Sequence, residues 1–165
     1  LFESQSEFEQ DETMSGNHNH QSHKPLVKVV SFGFKKNDIP AANLMLDVRF
    51  LKNPYWVEEL RPLTGQDQRV KDYVMDQTQA KDFVTNLLRL IENCVPAMLS
   101  TKTNTVTIAI GCTGGQHRSV AVAETLSQQL KIDYPDYHVT LWHRELDLDL
   151  ETAAAATGDE ASGRR

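Results

Sequence analysis

The sequence predicts an α/β domain on a mainly parallel sheet of about four to five strands flanked by helices. Three observations carry that prediction. Short segments rich in β-branched and apolar residues recur at 26–32, 44–50, 106–110 and 137–143. Between the second and third, and again between the third and fourth, lie stretches with apolar residues every three or four positions, the pattern of helical crossovers between parallel strands. The third observation is a glycine-rich turn, 111–117, set between a strand-like run and a helix-like one. That order aims backbone N–H groups and the positive end of a helix dipole at one point.

In chain order, residues 1–25 read as an acidic disordered arm or interdomain linker, with five acids and no Lys or Arg up to residue 23. His18, His20 and His23 fall in it without Cys, Asp or Glu among them, so they predict no metal site. Residues 26–146 form the predicted domain, and 147–165 a low-complexity tail. The net charge of −6 resides in these ends, because 24–145 holds 15 basic and 13 acidic side chains. The longest apolar runs are too short for a membrane helix. Two cysteines, Cys94 and Cys112, give no disulfide framework, and a reducing cytoplasm is the natural setting. The chain opens on Leu1, which suggests a piece of something longer.

Residues 26–32 predict a strand running into a loop with Lys35 and Lys36, and Pro40 permits a short helix start. The nearly continuous apolar run 44–50 predicts a central strand buried on both faces. Residues 53–56 form a turn, and 57–66 are broken by Pro62 and Gly65. Asp67 can cap a short helix carrying Val70, Tyr73 and Val74. From Thr78, the positions Phe83, Leu87, Leu90, Ile91 and Cys94 make a long amphipathic helix ending at Pro96, with Cys94 as core filler. A helix over 118–131 and a half-exposed strand over 137–143 complete the domain. Ligands of such sheets sit at the carboxyl ends of the strands, where the loops 32–38, 49–56 and 111–118 converge.

The chemistry of 111–119 has three readings. A nucleotide P-loop requires G-x-x-x-x-G-K-[ST], but the sixth position holds Gln116 and no lysine precedes Ser119. A cysteine phosphatase fits C-x5-R from Cys112 to Arg118, with Cys112 as nucleophile, Arg118 gripping the phosphoryl oxygens and Asp47 or Asp67 as acid. His117 and Gly111 depart from the residues usual beside that motif. The third reading is a phosphate-binding loop without catalysis, for which basic side chains at a helix start are costly unless an anion is present. Against all three stands an ordinary tight turn in which Arg118 pairs internally with Asp47 or another acid.

The blocks SFGFK (31–35), DVRFLKNPYW (47–56), LRPLTG (60–65) and IGCTGGQHRSVAVAE (110–124), with the ending His143-Arg144-Glu145-Leu146, resemble the C-terminal domain of the RapZ-type RNase adapter family of bacteria. The resemblance is collinear from about Val27 to Leu146. It implies a non-catalytic domain that binds a phosphorylated metabolite, an aminosugar phosphate in one branch, and presents small regulatory RNA to an endoribonuclease. It also implies a preceding P-loop domain for ATP or GTP, no cofactor in this domain, and a homo-oligomeric protein. Carried over, the ligand residues are Cys112, Thr113, Gly114, Gly115, His117, Arg118 and Ser119, with Lys36 and Tyr55 standing where that branch has histidines. Gln116 replaces a lysine. Lys28, Lys35, Lys36, Arg49, Lys52 and Arg61 supply a candidate RNA-binding rim near Tyr55 and Trp56, which either stack on bases or, for Trp56, fill the core.

Overall fold

The computed structural model describes residues 24–36, 38–101 and 104–146. Its elements are β1 (Leu26–Gly33), β2 (Leu44–Asp47), α1 (Gln68–Met75), α2 (Thr78–Leu99), β3 (Thr105–Cys112), α3 (Arg118–Asp133) and β4 (His138–His143), with 3-10 turns at Phe34–Lys36 and Pro54–Trp56. The four strands form one sheet in the order β2-β3-β1-β4. Every pairing is parallel, as the strand–helix alternation requires. The arm, the tail and His18, His20 and His23 lie outside the described residues, apart from Lys24 and Pro25.

Register decides which residues make the core. Val27 and Val29 stand beside Val106 and Ile108 on one side and Val139 and Leu141 on the other, so period-two alternation turns all six to one face. That face meets Val70 and Val74 of α1, Val84, Leu87, Ile91 and Val95 of α2, and Val122, Leu126 and Leu130 of α3 in a single apolar cluster. The opposite face carries Lys28, Met45 and Trp142, all exposed. Among the described residues the helices therefore cover one side of the sheet.

Four local expectations change. The run 44–50 is not a central strand: β2 spans four residues at the sheet edge, pairs only with β3, and leaves Met45 44% exposed. Its continuation is stopped by Asp47, whose carboxylate accepts the Arg49 N–H at 2.9 Å and turns the chain out of the sheet. α2 continues through Pro96 to Leu99, because a proline in the last turn forfeits one backbone bond while Val95 and Leu99 extend the buried stripe. Cys94, one position off the Leu87–Ile91–Val95 row, is half-buried rather than core. Pro40 starts no helix; the helical turn of that loop comes earlier, at Phe34–Lys36.

Candidate functional site

β1 and β3 end side by side, Gly33 against Cys112, and the glycine loop leaves the sheet there. Its path is set by close approaches that only glycine allows. A Cβ on Gly33 would lie 2.7 Å from the Gly114 carbonyl carbon. Gly115 has φ +76°, and a Cβ there would meet Glu145 Cγ at 2.2 Å. Three other segments hold the loop's carbonyls: Val48 N–H donates to Gly111 O at 2.9 Å, Lys35 N–H to Thr113 O at 3.2 Å, and Gly65 N–H to Gln116 O at 2.8 Å. The loops converge at the carboxyl edge, as expected of this sheet.

They enclose a cleft of about 490 Å³, within the roughly 300–1,000 Å³ typical of small-molecule sites. It is lined by Cys112, Thr113, Gly114, Gln116, His117 and Arg118 of the loop and the start of α3, and by Lys35, Asn53, Tyr55 and Trp56 from the neighbouring loops. The 3-10 turn that presents Tyr55 and Trp56 is capped by Asn53, whose side chain accepts the Tyr55 N–H. The two rings meet edge to face at 5.4 Å, and Trp56 is 77% exposed, so it is not core.

Other predicted residues fall elsewhere. Gly115 and Ser119 are buried and do not line the cleft. Lys36 is exposed on the same turn as Lys35 but is not a lining residue. Arg49 forks onto Asp47, 2.6 Å at the closest, and covers the Phe34 ring. Arg61 donates to the Tyr55 carbonyl at 3.0 Å and lies over the Tyr55 ring, beside the cleft. Lys52 borders a separate hollow with Asp72 and Asp76. Lys28 sits five residues before Gly33, about 16 Å down β1, and leaves the rim.

The two basic residues at the start of α3 are committed inward. Arg118 is 5% exposed. Its Nη1 donates to the carbonyls of Arg49 at 2.9 Å and Leu51 at 3.1 Å, and Nη2 to Thr113 Oγ1 at 3.1 Å. It is internally bonded, but to carbonyls rather than to Asp47. Of its five N–H donors, three serve these contacts, and Nε is buried without a partner among the described residues. His117 donates from Nε2 to the Arg61 carbonyl at 3.3 Å. Burial pushes its pKa down, so the ring is neutral near pH 7 and brings no charge to an anion.

The thiol of Cys112 has the neighbours a thiolate wants: Gly115 N–H donates to Sγ at 3.3 Å, and Ser119 Oγ lies 3.1 Å away. Neither candidate acid is suited to giving a proton. Hydrogen bonding from Arg49 holds the Asp47 carboxyl below its usual range, and Arg69 does the same to Asp67, which is the α1 cap.

Sequence reasoning missed the supports of the loop. Glu145 is buried, accepts the Gly33 N–H at 3.1 Å and pairs with Arg144 at 2.5 Å. Arg144 also donates to the carbonyls of Asp38 and Gly33. Buried Ser31 hydrogen-bonds His143 Nδ1 at 2.8 Å, and His143 Nε2 donates to Glu124 at 3.1 Å, while Gln66 and Lys71 converge on the same carboxylate. Burial raises the Glu124 pKa, but these donors outweigh it and leave the group lowered. The one available signal was polar and charged residues at strand ends, which by itself names no partner. Asn53, directly before Pro54, carried a capping signal that was not used.

Fold and loop together define a small parallel α/β domain with a glycine-rich turn between strand and helix at the carboxyl edge of its sheet. Within that class, the model of the RapZ C-terminal domain matches residues 25–147, and the chain belongs to that family. A nucleotide-binding protein of Lactobacillus helveticus is 47% identical over 120 residues, 73% of this chain and 40% of the relative. One of Desulfovibrio desulfuricans is 48% identical over 122 residues, 74% of this chain and 39% of the relative, and one of Corynebacterium diphtheriae is 44% identical over 120. The chain thus spans about two fifths of these relatives' length. No helix among the described residues is long and apolar enough to cross a membrane.

Proposed function

We propose that this domain binds a phosphorylated small metabolite in the cleft and does not turn it over. The observation that carries this is the cleft itself, a space of metabolite size lined by the glycine loop, the start of α3, Lys35 and the Tyr55–Trp56 pair. Loop amides, the helix dipole and Lys35 favour the phosphoryl group, and the aromatic corner favours the ring behind it. Lys35, rather than Lys36, is the exposed cation of the site. Titration of the chain with sugar phosphates by calorimetry is expected to give saturable binding that Lys35→Ala weakens about tenfold at unchanged thermal stability. Equal affinity in Lys35→Ala would remove the lysine from the site.

A phosphatase using Cys112 and Arg118 has the Sγ environment in its favour and lacks a protonated acid, so binding without hydrolysis is the better reading. For the whole protein we place nucleotide binding, the property in the relatives' names, in the part this chain does not span, with ATP or GTP as the nucleotide that the family resemblance implies. A cytoplasmic, homo-oligomeric protein whose C-terminal domain contacts regulatory RNA and an endoribonuclease completes the proposal. Exposed Trp56 beside Tyr55 supports the RNA contact, since bases stack on such faces. Trp56→Ala is expected to weaken single-stranded RNA binding by about 1–3 kcal/mol in a filter or anisotropy titration, and unchanged binding at several salt concentrations would exclude the platform.

A further inference from the structure

Beyond β4 the chain makes a single helical turn, residues 144–146, and this short segment is held by polar contacts. His143, Arg144 and Glu145 are consecutive, and all three are buried. Residues of these types are seldom buried unless hydrogen-bonded or paired. His143 bridges two elements, with Nδ1 2.8 Å from Ser31 Oγ of β1 and Nε2 donating to Glu124 of α3 at 3.1 Å. Arg144 donates to the carbonyls of Asp38 and Gly33, and Glu145 accepts the Gly33 N–H at 3.1 Å.

These contacts close a ring behind the glycine loop. On one side Glu145 holds Gly33, and its Cγ stands where a Cβ on Gly115 would come within 2.2 Å. On the other side Gly65 N–H holds the Gln116 carbonyl at 2.8 Å. The next residue, Gln66, donates to Glu124 at 3.3 Å, and Glu124 leads back to His143. The two supports of the loop are therefore joined by Gln66, Glu124 and His143, with Ser31 fixing the chain of bonds to the sheet. The fastened arrangement also keeps a cost, because Glu145 Oε2 is buried without a partner among the described residues. One helical turn adds little stability of its own. A segment held in this way opens before an apolar core does.

We propose that residues 143–146 are a strap, fastened through His143, whose closure sets the conformation of the glycine loop. When His143 leaves Ser31 and Glu124, Glu145 leaves Gly33 and Gly115, and the loop loosens with it. The coupling is reciprocal, so a loop held rigid keeps the strap closed. His143 and Glu124 are then positioning residues for a cleft that neither of them lines. The device concerns the shape of the cleft and does not depend on what the cleft binds.

The test is amide hydrogen exchange on the chain, read at Gly33 and Gly115 for the loop and at Val29 and Ile108 for the sheet. Glu124→Ala and Ser31→Ala each remove one fastening of His143 and leave the loop sequence unchanged. Each is expected to quicken exchange at both glycines about fivefold or more, with Val29 and Ile108 unchanged. Glu124→Gln keeps an acceptor for the imidazole and is expected to restore most of the protection. The double variant is expected to add little to the larger single effect, because both substitutions act through His143. Unchanged exchange at the two glycines overturns the proposal. Equal quickening at all four amides overturns it as well, since the variants would then weaken the whole fold. Effects that simply add in the double variant remove His143 as the common link and overturn it too.

Discussion

Arg118 and Lys35 both line the cleft and both are cations, yet one is a strut and the other, under the proposed function, is the ligand contact. Arg118 comes from the motif itself, is buried, and spends three donors on Arg49, Leu51 and Thr113. Lys35 comes from a neighbouring loop, is exposed, and is tied to the glycine loop by its backbone N–H to Thr113. His117 sides with Arg118, buried and neutral, whereas Tyr55 and Trp56 side with Lys35. The buried half of the lining, which we call inner, therefore holds the shape of the loop, and under the proposed function the exposed, outer half is the part that meets the ligand. A sequence motif marks the former more strongly, because building a tight loop constrains residues harder than presenting a side chain to solvent.

The comparison is broken most severely by removing the strut. Arg118→Ala is expected to lose about 3 kcal/mol of stability in chemical denaturation, because the buried Leu51 carbonyl and the part-buried Arg49 carbonyl lose their donor and the guanidinium leaves a void. Ligand binding should vanish with it. If the variant keeps wild-type stability and loses only binding, Arg118 is a contact after all, and the division between inner and outer halves fails.

Gly115→Ala comes next, at about 2 kcal/mol. It places a Cβ at positive φ and against the Glu145 side chain, so both a backbone and a packing term oppose it. Shortening the obstacle sharpens the test. In a Glu145→Ala background the Cγ contact is gone, and the cost of Gly115→Ala should fall, leaving the positive-φ term and the approach of the Cβ to Gly33 N at 2.7 Å. A double-mutant cycle with no coupling would mean that Glu145 does not shape the loop.

How much of this was legible follows the same line. The strands at 26–33 and 105–112, the three helices and the parallel order were readable, because β-branched runs and three-to-four spacing report burial directly. The edge position of β2 was not: Leu44, Met45 and Leu46 look as apolar as a central strand, and only the Asp47–Arg49 turn and the pairing order reveal otherwise. Gly111 to Arg118 was recognisable as a site, but the commitments of Arg118 and His117 depend on carbonyls of residues 49, 51 and 61, which have no side-chain signature. Glu145, named only within the block 143–146, gave no sign of its role for a similar reason, since it holds the loop by accepting from the backbone of Gly33.

The mildest test uses pH. His117 has its pKa depressed by burial, so the folded state resists a proton that the unfolded chain accepts at about 6.5. Its contribution is complete above that value and is lost as pH falls from there through the lower folded pKa, where the ring must charge against burial and Arg118. The carboxylates held by Arg49 and Arg69 act in a more acidic window, because their pKa values lie below the usual carboxylate range. A melting-temperature series between about pH 8 and pH 5 should therefore slope downward toward acid, and His117→Gln should flatten that slope while the acidic limb persists. An anion bound against a charged His117 would act in the opposite direction: wild-type stability in the presence of phosphate would rise as the ring gained its proton. That sign would move His117 from the inner half of the cleft to the outer.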